Sequence, residues 1–238
     1  MDLELTIELF DELEKSNIDG NKITKSFMYI DYSSYMYKYN YTEKINNIEK
    51  RYYGLQEAAS LIESRYEKAD RTDMDYEDQF YITIGALSYF ITNNLNKSSE
   101  LIEDIKYDSD IMHITSSFLK QDYKKLIRYF KKVLNNENAY IEKNLDQRGY
   151  RINVILFTKA ILYFIKYLKD NDEKDLSKSQ SLITDACDLS RLSSSRVWYL
   201  HRMFHILIHS KLNVDTVLEL NKNLQVIKRN KFINEYSK

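Results

Sequence analysis

The sequence predicts an all-α protein, on three observations. Apolar residues recur at three- and four-residue steps along almost the whole chain, and no stretch of six or more residues keeps the strict alternation of a half-buried strand. Glycine is scarce, at four in 238 residues, and proline is absent, whereas sandwiches, barrels and doubly wound sheets need turn formers at nearly every connection. Apolar residues make up 43% of the chain, enough for a packed core and too many for a disordered tail. Part of the bias toward Tyr, Asn, Ile and Lys fits an AT-rich genome, so missing proline alone would prove little.

Taken in order, the segment MDLELTIELFDELEKS is acidic and periodic, where a secretory leader would be basic and then apolar, so we expect a helix of the folded protein. The second helix carries the run MYIDYSSYMYKYNY; Tyr29, Tyr32, Met36 and Tyr39 share one face for packing, leaving Tyr35 and Tyr37 among the rings offered to a partner. Breaks are expected where turn formers and capping side chains cluster: Asn17 to Asn21, Asn40 to Thr42, Asp70 to Asp73, Asn93 to Asn96, Tyr107 to Asp110, Asn135 to Asn138 and Lys169 to Lys174. Thr72 with Asp75 three positions on reads as a capping box opening the helix that holds Phe80 and Leu87. DMDYED, from Asp73, begins like a calcium loop but lacks the glycine and final glutamate, and reads as a charged helix start. About eleven helices result. The greasiest runs, Phe80 to Ile91 and Ile152 to Leu168, are respectively too short to span a bilayer and interrupted by Lys159 and Lys166, so we expect a cytoplasmic protein with no membrane segment. The one cysteine, Cys187, forms no internal disulfide and is expected to be buried packing.

A pattern of apolar or small residues at spacing 0, 3, 7, 10 recurs along the chain. It appears as Leu55, Ala58, Ile62 with Arg65 failing the last slot, then as Leu95, Ser98, Ile102, Ile105, and as Tyr123, Leu126, Phe130, Val133. It returns as Leu176, Ser179, Ile183, Ala186 and as Val217, Leu220, Leu224, Ile227. Each copy follows a turn and an earlier helix, and GALSYFITNNLNKSSELIEDI and ITSSFLKQDYKKLIRYFKKVL resemble tetratricopeptide hairpins, with Asn93 at the first turn. The resemblance implies an irregular array of about five antiparallel helical hairpins, an α-solenoid. Because the copies are 40, 28, 53 and 41 residues apart rather than evenly spaced, a compact helical bundle is the alternative. We expect residues 1–238 to form one all-helical domain, with a sub-boundary near 135–145.

AASLIESRY (Ala58 to Tyr66), GALSYFITNN (Gly85 to Asn94) and RLSSSRVWYLHRMFHIL (Arg191 to Leu207) together resemble the helical region that precedes the motor in bacterial DEAD/DEAH-box helicases of phage defence. That resemblance implies an accessory helical part working beside a nucleic-acid motor. The motor itself is not in this sequence: glycines at 20, 54, 85 and 149 cannot build a phosphate-binding G-x-x-x-x-G-K-[ST] loop.

Three constellations carry candidate chemistry. His201, His205 and His209 fall on one helical face, yet the helix has no H-E-x-x-H glutamate, and eight residues carry the last histidine about 12 Å from the first, so no metal is expected. Arg196 and His201 have the R-x4-H spacing of the HEPN ribonucleases, which implies an arginine neutralising a scissile phosphate and a histidine moving protons. Five helical steps turn about 140°, so convergence would need a partner chain or a distortion.

Although Lys and Arg (35) nearly balance Asp and Glu (36), charge is regional. Residues 1–20 hold seven acids and one base, Arg196 to Lys238 hold eight bases and three acids, and Lys120, Lys124, Lys125, Arg128, Lys131 and Lys132 crowd a short stretch opposed only by Asp122. The stripe of Lys120, Lys124, Arg128 and Lys131 lies beside Tyr123, Ile127 and Phe130; it suits an acidic protein partner or a phosphate backbone, with tyrosines stacking on unpaired bases. We therefore expect a non-catalytic binding module that needs no cofactor and engages a protein partner such as a helicase or nuclease subunit. A HEPN-like ribonuclease and single-strand binding by the basic stripe are the alternatives.

Overall fold

The computed structural model describes residues 12, 15, 26–27, 29–30, 48–143, 147–191, 195–209 and 224–236. Among these residues every regular element is a helix, and successive helices pair as antiparallel hairpins, as the periodicity predicts. Contacts cluster into two units, Met1–Lys106 and Tyr107–Lys238.

In the first unit α1 (Ile48–Tyr66) leads through a 3-10 turn (Arg71–Asp73) to α2 (Tyr76–Ile91) and α3 (Leu95–Leu101). α1 and α2 pack on each other, the Tyr66 hydroxyl meeting Asp78 and the Tyr89 hydroxyl meeting Glu63. From Gln79 to Ile91 all of α2 except Tyr81 is buried, which is why its sequence is apolar on every side. Gly85 sits where α2 meets both neighbours: a Cβ there would stand 2.8 Å from Ile62 Cγ2 and 3.2 Å from Leu101 Cδ2. The cap of α2 is one correction to the sequence reading. Asp75, not Thr72, accepts the Asp78 N–H, and Thr72 is instead the donor to Asp70 within the 3-10 turn.

The second unit is built on α7 (Arg148–Asp170), the long helix against which α4 (Asp110–Leu119), α5 (Tyr123–Leu134), α6 (Glu137–Glu142) and α8 (Glu173–Arg191) pack. α9 (Ser195–His209) packs on α8, and two short helices, α10 (Gln225–Lys228) and α11 (Lys231–Glu235), follow. Phe118, Phe157, Phe164 and Phe204 bring α4, α7 and α9 into one fully buried aromatic cluster, with Phe157 and Phe204 edge to face at 5.0 Å. The α7–α8 hairpin turns through Asn171, whose φ of 56° is the left-handed conformation that Asn tolerates. Small residues let the two helices touch: the Ser179 hydroxyl donates across to the Ala160 carbonyl at 2.7 Å.

The hairpins α2–α3 and α4–α5 turn in the same way. Each first helix ends in a Schellman motif, in which Asn93 and Asn94 donate to the Phe90 and Tyr89 carbonyls at 3.1 and 2.8 Å, and Gln121 and Asp122 donate to Phe118 and Ser117 at 3.0 and 2.9 Å. Asn93 and Gln121 are the left-handed residues, at φ 64° and 54°. Asn94 and Asp122 then cap the next helices, accepting from Lys97 and Lys125. The recurring spacing is the buried stripe: Leu55, Ala58 and Ile62, then Tyr123, Leu126, Phe130 and Val133, then Leu176, Ser179, Ile183 and Ala186 are all buried, whereas Arg65 is exposed.

Candidate functional site

The face of α5 turned to solvent is wholly basic. Amphipathic spacing buries Tyr123, Leu126, Ile127, Phe130, Val133 and Leu134 and leaves Lys124, Lys125, Arg128, Lys131 and Lys132 exposed, with Lys120 exposed at the preceding turn. Lys132 pairs with Asp110 at 2.6 Å and lies 5.7 Å over the Tyr129 ring, and Lys131 lies 5.9 Å over Phe232. None of the ion pairs formed among the described residues involves Lys124, Lys125, Arg128 or Lys131.

Tyr123 is a correction. Its ring is 3% exposed and belongs to the buried stripe, so it packs the hairpin and offers no platform for an unpaired base; burial also pushes its hydroxyl pKa up. The other ring of this helix, Tyr129, is half-buried and stacked on His113 at 4.7 Å. Tyr35 and Tyr37 lie outside the described residues, as do Val217 and Leu220.

The histidine face of α9 is divided by depth. His201 is fully buried, stacked on Phe157 at 4.9 Å, with Nδ1 3.2 Å from both the Ala186 carbonyl and the Ser190 hydroxyl. A carbonyl only accepts, so Nδ1 carries the hydrogen and Nε2 keeps its lone pair, buried and without a hydrogen-bond partner. Burial lowers the His201 pKa to about 4, and the ring is neutral at pH 7. The Ala186 carbonyl also accepts from Asn153 Nδ2 at 3.0 Å, so one oxygen joins α7, α8 and α9. Arg196, five residues before His201, is partly exposed. His205 and His209 stack on each other at 4.0 Å and are partly exposed. Among the described residues no three His, Cys, Asp or Glu side chains gather as a metal site requires. Cys187 is buried and its thiol is pushed up to about 12, which makes it inert packing.

Sequence reasoning passed over Asp110 and Arg151. Asp110 holds Lys132 and the Tyr140 hydroxyl, and Arg151 lies 4.9 Å over the Tyr140 ring; both contacts join separate helices and leave no periodic trace.

No protein-family model matches this chain, and no solved structure matches it. It is similar to the Hachiman protein HamB of Bacillus cereus, at 23% identity over 154 residues, which is 64% of this chain and 13% of that protein. The chain thus spans a small part of that relative's length. Among the described residues no helix is long and apolar enough to cross a membrane.

Proposed function

We propose that this chain is a non-catalytic helical binding module acting in phage defence, and that the basic face of α5 engages an acidic surface on a protein partner. The distant similarity to a Hachiman protein supports the defence role and agrees with the resemblance to helices that precede a helicase motor. A motor or nuclease subunit in the cytoplasm is the partner this context implies. The observation that carries the reading is a solvent face of five lysines and arginines on one twelve-residue helix, of which, among the described residues, only Lys132 is held by a carboxylate. Such a face gains little for folding, because like charges on adjacent turns repel, and it suits recognition of the opposite charge.

Single-strand binding is the second reading, since the same lysines could follow a phosphate backbone; the burial of Tyr123 favours the protein partner over it. The HEPN-like ribonuclease is the third, and it requires His201 to leave its contact with Ala186 and Phe157 before reaching a phosphate. Purified protein and the His201→Ala variant, incubated with RNA, separate the readings. The binding module leaves RNA intact in both; cleavage by the parent that disappears in His201→Ala establishes the enzyme instead. Titration with a fluorescent oligonucleotide tests the strand reading, which demands saturable binding that falls steeply with salt.

A further inference from the structure

At the C-terminal end of the basic helix a cleft of about 360 Å³ opens between α5, α6 and the start of α7, lined by Asp110, Lys132, Asn135, Asn136, Lys143 and Arg151. Three cations face one carboxylate. That carboxylate is already engaged, with Oδ1 accepting from Lys132 at 2.6 Å and Oδ2 from the Tyr140 hydroxyl at 2.8 Å. Arg151 is held by its guanidinium lying over the Tyr140 ring and by one hydrogen bond, NH1 to the Tyr140 carbonyl at 3.1 Å. Its Nε is buried with no acceptor among the described residues, so most of the five guanidinium donors are unsatisfied by them. Lys143 is exposed and forms no ion pair among the described residues. Asn136 commits its Oδ1 to the Ala139 N–H, which leaves its amide NH2 as a donor.

We propose that this cleft binds a phosphoryl group, with Arg151 and Lys143 supplying charge and the Asn135 and Asn136 amides supplying neutral donors. A tetrahedral oxyanion presents oxygens in several directions at once, matching donors that arrive from three elements; a flat carboxylate would reach fewer. Another cleft of this unit lacks that surplus: Lys166, Lys169 and Lys228 stand beside Asp170, Asp172 and Asp175, with Lys169 2.8 Å from Asp170 and Lys166 3.6 Å from Asp175. The phosphoryl site does not depend on the protein-partner reading: Lys132, which belongs to both surfaces, is already held by Asp110, and the four donors assigned to phosphate lie outside α5.

Calorimetric titration of the full chain with inorganic phosphate tests this, alongside Lys143→Gln and Arg151→Lys. Saturable binding is expected, weakened about tenfold or more in each variant, as for loss of a charge-assisted hydrogen bond. Arg151 also braces Tyr140, so Lys143→Gln, which breaks no ion pair among the described residues, decides. A 5′-phosphorylated tetranucleotide that binds more tightly than both inorganic phosphate and its unphosphorylated counterpart identifies a strand end as the source; equal affinity for phosphate and the phosphorylated strand identifies a free phosphate ester. Absence of saturable phosphate binding, or an affinity unchanged in Lys143→Gln, overturns the proposal.

Discussion

Two glycines in helices make opposite predictions, because only one of them has neighbours. Alanine is the better helix former by about 1 kcal/mol, so Gly149→Ala, with nothing within 4 Å of the new Cβ, stabilises by up to that amount. Gly85→Ala drives a methyl to 2.8 Å from Ile62 Cγ2 between two packed helices and destabilises by about 1 to 3 kcal/mol despite the propensity gain. Urea unfolding of the two variants reads both signs.

His201 sets a pH dependence at the same scale. Its folded pKa of about 4 is below the ordinary value of 6.5, so the unfolded chain takes up the proton first. The neutral ring's contribution is complete above about pH 6.5, declines as pH falls, and is gone once pH has passed below about 4, a swing of about 3 kcal/mol. Burial also lowers His113 and His209, which add to the same trend. Unfolding free energies measured from pH 7.5 to pH 4.5 should decline in the parent and decline less in His201→Gln; identical slopes would remove His201 as the cause.

Among elements, the turn shared by the α2–α3 and α4–α5 hairpins gives the sharpest expectation. Asp122 caps α5 by accepting the Lys125 N–H, and Asp122→Ala should cost about 1 kcal/mol. Gln121→Gly relieves a left-handed residue and should return up to about 1 kcal/mol. Thermal melts of the two variants, shifted in opposite directions, test the motif. Much of this level was legible in the sequence, because local rules govern it: Asn93 as a turn residue, the breaks at Asp70 to Asp73 and Lys169 to Lys174, and the buried 0, 3, 7, 10 stripe all follow from side-chain chemistry within one turn of helix. The misplaced cap shows the limit. Thr72 and Asp75 have the right spacing, but Asp70 engages Thr72 first, and the spacing alone does not reveal that competition. Tyr123 failed as a surface residue for a related reason: it fits both the apolar stripe and an aromatic patch, and packing decides for the stripe.

For the whole molecule, sequence established the class of fold and the basic face, since both are sums over many residues. The phosphoryl cleft was illegible. Its members come from α4, α5, the following turn, the end of α6 and α7, and only the packing of those helices places Lys143 near Arg151. The histidine face illustrates the converse, a periodic signal whose members differ in depth: His201 is sealed in the core, and His205 and His209 are not. A net charge of −1 conceals this segregation, so recognition by the α5 face should weaken with ionic strength while the fold, held mainly by apolar burial, should not.

The measurement that bears most directly on the binding role is co-purification from the native host of tagged parent and of the double variant Lys124→Glu, Arg128→Glu, with circular dichroism on both. Equal helicity is expected, with an acidic protein partner that is retained by the parent, lost by the variant and released by salt. A partner held equally by both chains would contradict that expectation.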